Sequence, residues 1–417
     1  MANIEKFIAF RFLRSKKKDG FISLISSISL VGIALGVATL IVVMSVMGGF
    51  HKTLLGRIIG MNGHLVVYYE GGALKDYDFL ISKIESNAMV MKNLVGIMPV
   101  AEGQVMVSAN GNAKGAILRG ARLGDLNRFT EVGKRLFGKD LDKVKEGELI
   151  MGSVLFRSLR IPHGEPATLM SMSGGQQTAF GTMPRVQSYP IVSNFKIGMY
   201  EYDAGFIFMP LESAQTFLNI PGGATHIDIF IKDPENTFAV KSALRGILPD
   251  GFVVRDWKEL NAGFVGALEV EKNVMFLILM LIILVAAFNI ISTLVMMVKD
   301  KGRDIAIMRT IGMPRSSVSR IFIINGTLTG FIGAFFGTTL GVLVAMHIEQ
   351  IRKIVQHLTG RDLFPAEIYF LSELPAEINA VEVFAVFGFA VVLSFLATLY
   401  PARRAAKLEP AEVLKYE

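Results

Sequence analysis

The sequence predicts an α-helical membrane protein with four transmembrane helices in a one-plus-three order, and a large α+β domain between helices one and two. Three observations carry this. Residues 21–50, 273–298, 321–346 and 383–402 contain no Asp, Glu, Lys or Arg. A bilayer core of ~30 Å needs about 20 apolar residues in a helix, so each stretch is long enough to span. Lys and Arg cluster beside the stretches, and residues 51–271 between the first two are polar.

The charges orient the chain. Lys6, Arg11, Arg14, Lys16, Lys17 and Lys18 precede the first stretch; Lys299, Lys301, Arg303, Arg309, Arg315 and Arg320 separate the second from the third; Arg403, Arg404 and Lys407 follow the fourth. The link at 347–382 has three basic residues against six acidic ones. Basic excess marks the cytoplasmic side. Both termini and the 299–320 loop are therefore expected in the cytoplasm, with the insert and the 347–382 link outside.

The element boundaries follow: 1–20 a basic interfacial helix with Ile4, Phe7 and Ile8 on one stripe, 21–50 span one, 51–271 the exported domain, 272–298 span two, 299–317 a cytoplasmic connection, 318–346 span three, 347–380 an outer loop, 381–401 span four and 402–417 the tail. The hydrophobic share of 52% and mean hydropathy of +0.47 suit a membrane protein. The net charge of +7 lies beside apolar spans, which argues against a nucleic-acid partner. With no Cys, the exported domain has no disulfide and no thiolate chemistry.

Within the insert, strand-like runs at 64–69, 103–108, 113–119, 166–172, 188–196, 204–209 and 225–231 interleave with helical patterns at 77–86, 211–218 and 234–248. This predicts an α+β domain, read as two lobes meeting near residue 150. Leu260, Phe264, Val265 and Leu268 repeat at helical spacing, so a helix running from 256 to 298 is expected to leave the bilayer as a stalk. Span one is also longer than a bilayer needs; a tilted span is the alternative. Gly32 and Gly36, Gly326 and Gly330, and Gly333, Gly337 and Gly341 are spaced for close helix approach.

No GxxxxGKS/T phosphate loop, HExxH, GxSxG or Cys–His arrangement occurs. The six His residues are scattered, and the spans carry no ionisable relay. Catalysis and ion-driven transport are both disfavoured, so energy for any transport must enter from a partner. The place for it is 303–311, a short amphipathic helix with Ile305, Met308 and Ile311 on one side, stopped by Gly312 before Pro314. A second distinctive segment, 173–188 (SGGQQTAFGTMPRVQS), reads as a hairpin-like arm exposing Phe180, Met183 and Pro184; a loop folded back on its own domain is the alternative.

Residues 303–312 (RDIAIMRTIG) and 400–417 (YPARRAAKLEPAEVLKYE) closely resemble the coupling segment and C-terminal signature of the MacB/FtsX-type permeases. Residues 47–50 (MGGF), 147–152 (GELIMG) and the strand at 167–172 resemble the LolC/LolE lipoprotein-releasing branch. The resemblance covers essentially the whole chain. It implies a periplasmic domain of two subdomains, in the inner membrane of a Gram-negative bacterium. A LolD-like ATPase dimer would dock at Arg303, Asp304, Ile305, Ile307, Met308, Arg309, Thr310 and Gly312. The chain itself would need no cofactor, ATP and Mg²⁺ belonging to that ATPase. It also implies a second permease subunit (LolE-like or a second copy), triacylated lipoprotein cargo and a LolA-like carrier. The carrier would be held by a hook at the arm, through Gln177, Phe180, Met183, Pro184, Arg185 and Gln187.

Met44, Met47 and Phe50, with Val274, Leu277 and Ile278, are the candidates for contacting cargo lipid at a lateral entrance between two subunits, Met being adaptable to acyl shapes; plain contact with bulk lipid is the alternative. The chain departs from the family pattern at several places. MGGF stands for the usual MNGF and Asp304 for a Glu. Arg185–Val186–Gln187 stands for a Ser-Gln-Arg run, and Thr168 for an Arg that supports the carrier. An FtsX-like relay activating a periplasmic hydrolase and a MacB-like efflux subunit remain the alternative functions.

Overall fold

A computed structural model describes residues 5, 7–8, 20–162, 165–178, 181–361, 364–365, 369–371 and 373–408. Most of the expected interfacial helix, Ile4 included, and the tail beyond 408 lie outside the described residues. The chain divides into two compact units, Met1–His51 with Leu268–Thr359 and Leu374–Glu417, and Lys52–Ala267 with Gly360–Glu373.

Among the described residues four helices are long and apolar enough to cross a membrane, within Gly20–Met61, Ala262–Asp300, Arg315–Met346 and Ala380–Ala406, and most of their length belongs to the first unit. At a rise of ~1.5 Å per residue, the first two are roughly 60 Å long, about twice a bilayer core. Small residues set how these helices pack. A methyl at Gly337 would sit 2.5 Å from the carbonyl oxygen of Ala34 and 2.8 Å from Cβ of Val37. At Gly341 it would lie 3.0 Å from Cα of Ala38, and at Gly333 3.0 Å from Cβ of Ile33. The third helix thus lays its lower-volume stripe on the first, while Gly326 and Gly330 meet Thr398 and Ser394 of the fourth. Gly32 faces Asn289, but Gly36 has open space around it, so the expected close approach does not extend to Gly36. Ile33, Val37, Leu40 and Ile41 complete the packing with Ile290, Leu294, Ala334, Val386 and Ala397.

The second unit is a mixed sheet of ten strands: β1 (Leu65–Tyr69), β2 (Leu94–Ala109), β3 (Asn112–Ala121), β4 (Leu136–Gly138), β5 (Leu149–Gly152), β6 (Pro166–Thr178), β7 (Gly181–Phe195), β8 (Phe206–Pro210), β9 (His226–Ile231) and β10 (Phe252–Asp256). Their order is β10-β1-β9-β2-β3-β8-β5-β7-β4, with β6 on β2 and β7. β3–β8 and β5–β7 are parallel, the other pairs antiparallel. The α+β expectation agrees with this, but the lobe boundary near 150 does not. β1 and β2 from the first half pair with β9 and β10 from the second, and β3 pairs with β8.

The buried clusters follow space, not chain order. One joins Leu65, Val67, Ile84, Val90 and Ile97 to Ile227, Ile229, Val240, Leu244 and Val254. Another joins Leu118, Leu149 and Met151 to Leu169, Ile207, Met209 and Phe217. A third seats Ile58 and Met61, at the end of the first long helix, among Met98, Phe195, Phe208, Phe230 and Trp257.

The expected continuous helix from 256 also differs. Asp256 and Glu259 form a reciprocal capping box over Trp257–Leu260, that helix ends at Asn261, and the long helix begins at Ala262. Phe264 and Val265, in the first turn of that long helix, pack against the buried cluster that contains Trp257.

Candidate functional site

The connection between the second and third long helices is a short helix with a defined stop. Helix Gly302–Thr310 starts after Lys301 and stops at Gly312, whose φ of +95° is open to glycine. The amide of Met313 donates to the carbonyl of Met308 (3.0 Å) and that of Gly312 to Arg309 (3.1 Å), the paired bonds of a Schellman stop. Met308 and Met313 both pack on a cluster of Val298, Ile305, Val318, Phe322, Ala402 and Ala405. Ile305 and Ala306 are buried, so this one short helix touches the ends of the second, third and fourth long helices.

Its other face carries Arg303, Ile307 and Thr310 outward. Ile311 is 82% exposed, not on the buried stripe where its spacing put it, because the chain leaves helical geometry at that residue. Asp304 lies 3.7 Å from the ammonium of Lys301, and Arg309 donates to the carbonyl of Met313 (2.9 Å). Arg309 therefore serves the turn itself.

The arm is a β-hairpin. Its base belongs to the sheet, with β6 paired to β2 from Thr168 to Met170; beyond Ser171 the two strands pair with each other. The register shifts between Ser171 and Gln176, opposite Pro184, which cannot donate to a ladder. Gln177 pairs with Thr182 in the backbone register. Phe180 lies outside the described residues. Met183 is 62% exposed, and Met172, Val186 and Gln187 are exposed near it. Arg185 instead donates to the carbonyl of Thr216 (2.6 Å), so its guanidinium is tied to its own domain. Thr168 and Ser188 share a 2.8 Å hydrogen bond between their hydroxyls across the hairpin.

The lipid candidates divide. Val274, Leu277 and Ile278 are exposed. Met44, Met47 and Phe50 are half-buried, and Met44 packs on its own helix cluster. The MGGF segment has a structural cause: a methyl at Gly49 would sit 2.8 Å from the amide nitrogen of Glu377, which donates to the carbonyl of Ser45. Gly48 faces open space, so the family's Asn would fit there. One turn on, His51 and Glu271 join the first two long helices at 3.0 Å.

The sequence reading missed a buried polar cluster beneath the end of the first long helix. Arg119 donates to Glu102 (2.7 and 2.6 Å), to Oδ1 of Asn62 (3.1 Å) and to the carbonyl of Met61 (3.4 Å), with its guanidinium over Phe206. Asn62 in turn donates to the Tyr202 hydroxyl (2.6 Å). Burial pushes the Tyr202 phenol up to about 12. Burial opposes ionisation of Glu102, but the charge of Arg119 outweighs it and holds the carboxyl below its usual range. His226, 3.5 Å from Asp228, is kept neutral by burial. The only trace in the sequence is a charge at the edge of each strand-like run, Glu102 just before 103–108 and Arg119 at the end of 113–119; the register that sets them opposite each other belongs to the folded sheet. Among the described residues no group of three His, Asp or Glu side chains is placed to hold a metal ion.

Two family models match the chain: the MacB-like periplasmic core domain over residues 26–247 and the FtsX-like permease C-terminal region over 276–410. The lipoprotein-releasing system transmembrane protein LolC of Neisseria meningitidis serogroup B is 34% identical over 100% of both chains. The chain belongs to the LolC/LolE family. LolC of Xylella fastidiosa is 34% identical over 98% of each chain, and LolE of Haemophilus influenzae 32% identical over 99% of each. This makes the chain a multi-pass inner-membrane protein of the permease type, with a MacB-like periplasmic domain. Similarity to both LolC and LolE is nearly equal, so the family alone does not divide it between the two.

Proposed function

We propose that the chain is the non-catalytic permease subunit of an ATP-driven complex that lifts acylated lipoproteins out of the inner membrane's outer leaflet and passes them to a periplasmic carrier. An acyl chain is held by ~0.8 kcal/mol per buried CH₂, so about 15 such groups amount to roughly 12 kcal/mol. Three chains hold several times that, which makes unaided escape negligible and external work necessary.

The observation that carries the reading is the helix Gly302–Thr310. Ile305 and Met308 key it to three long helices while Arg303, Ile307 and Thr310 face outward. A LolD-like ATPase dimer seated on that outer face would move the spans through a short, stiff lever. The one-plus-three arrangement with cytoplasmic termini, the two periplasmic subdomains and a second permease subunit, LolE-like or a further copy, belong to the same reading. Cargo would enter beside Val274, Leu277 and Ile278 and leave along the arm, where Gln177, Phe180 and Met183 meet a LolA-like carrier.

The test is reconstitution with the ATPase and carrier in vesicles holding a triacylated lipoprotein. ATP-dependent release is expected, and Phe180→Ser with Met183→Ser should block transfer while ATP hydrolysis continues. Unchanged transfer removes the arm from the mechanism. Depletion in cells should strand lipoproteins in the inner membrane; septation defects or drug sensitivity without stranding would favour the relay or efflux readings instead.

A further inference from the structure

The link after the third long helix contains an amphipathic helix, Ile348–Thr359, none of whose residues is buried. Ile348, Ile351, Ile354, Val355 and Leu358 fall within an arc of about 120° when successive residues turn by 100°. Ile354 and Leu358 are 60% and 79% exposed. The opposite side is occupied. Glu349 takes two bonds from Arg352 (2.7 and 2.8 Å), one from Lys353 (3.4 Å) and one from the amide of Leu374 (3.1 Å), while Arg352 also donates to Gln356 (3.0 Å). The polar face is thereby tied to the chain's own return segment, and the apolar face points away from it.

We propose that this apolar face lies in the phospholipid surface, seating the helix at the headgroup–acyl boundary beside the end of the third span. Position argues for lipid over a protein partner. The helix begins two residues after Met346, the exposed last residue of a span, with only His347 between. Consecutive Cα atoms are about 3.8 Å apart, so its first turn cannot leave the membrane boundary. The last turns of that span also expose apolar side chains, Leu340, Leu343 and Met346. Gly360, with φ +64°, ends the helix before the chain turns away. The helix then fixes the height at which the third span stops, independently of which leaflet it meets.

The absence of native Cys allows a direct test in the assembled complex. Single variants Ile351→Cys, Ile354→Cys and Leu358→Cys, and Gln350→Cys, Lys353→Cys and His357→Cys, are spin-labelled in phosphatidylethanolamine–phosphatidylglycerol vesicles free of lipoprotein. Labels at 351, 354 and 358 should be reached by oxygen, shielded from a nickel chelate and lie about 5–10 Å below the headgroup surface. Labels at 350, 353 and 357 should not show that pattern. Equal nickel access at all six positions means a solvated helix and overturns the proposal. Shielding of 351, 354 and 358 from both reagents means a protein covers the face, and overturns it equally.

Discussion

Removing the Arg119 guanidinium should loosen the periplasmic unit where the first long helix ends. In Arg119→Met the Glu102 carboxylate loses both charge-assisted bonds, at 2.6 and 2.7 Å, and Asn62 and the Met61 carbonyl lose their donor. Orphaning one partner of a buried pair costs about 3–5 kcal/mol. Glu102 keeps 28% exposure, which places its share near the lower end, and the lost neutral acceptors add about 1 kcal/mol. We expect about 4 kcal/mol, a drop of roughly a thousandfold in hydrogen-exchange protection for β2 and β3 amides such as Gly103 and Leu118.

The double variant Glu102→Met with Arg119→Met should recover most of the loss, since the Glu102 carboxylate is then no longer stranded without its cation. The pH dependence has a definite sign. Glu102 is held below its usual range, so its stabilisation is present above the unfolded carboxyl value and disappears as pH falls through the folded one. In Arg119→Met the main downward pull is gone, and acidification should narrow the gap to wild type. A loss below 1 kcal/mol, or a double variant no better than the single, refutes the assignment of this cluster as a brace.

Three further outcomes follow from the spans and links. Ile305→Ala should cost about 2–5 kcal/mol in thermal unfolding of the purified chain, whereas Ile307→Ser with Ile311→Ser should leave stability within about 0.5 kcal/mol yet abolish co-purification of the ATPase. Retained ATPase would mean that the outer face is not the dock. Gly337→Val should destabilise by about 1–3 kcal/mol through its clash with Ala34 and Val37, while Gly36→Ala should be neutral or better; equal losses would contradict the helix contacts. Glu349 is held at about 2, chiefly by Arg352, so protection of the Leu374 amide, corrected for intrinsic exchange, should persist above pH ~4.5 and fall toward pH 2. Glu349→Gln should flatten that dependence.

The helix Gly302–Thr310 marks how far a local pattern reaches. Gly312 and Pro314 located its end because a left-handed stop is a local property, and Ile305 and Met308 lay on the buried side as their spacing required. Ile311 was misplaced by the same periodicity, since the helix had already ended. Arg185 was read as a contact for a carrier, but its partner is the Thr216 carbonyl, 31 residues on, and no local signal announces such a pair. The amphipathic helix Ile348–Thr359 differs from the loop expected over 347–380, because 12 residues carrying Glu349, Arg352 and Lys353 have neither the length nor the uncharged run that marks a span.

What the chain order alone determined is everything governed by transfer from water to lipid and by local geometry: four uncharged stretches able to span, the helix stop at Gly312, and strands of alternating side chains. Those depend on composition within one or two turns. Tertiary structure decided which strands became neighbours, which glycine was pressed against a backbone and which left open, and that Glu102 and Arg119 close a buried pair under Met61. Such choices depend on energies shared between segments that local geometry does not relate, from 17 residues apart for Glu102 and Arg119 to more than 300 for Gly49 and Glu377.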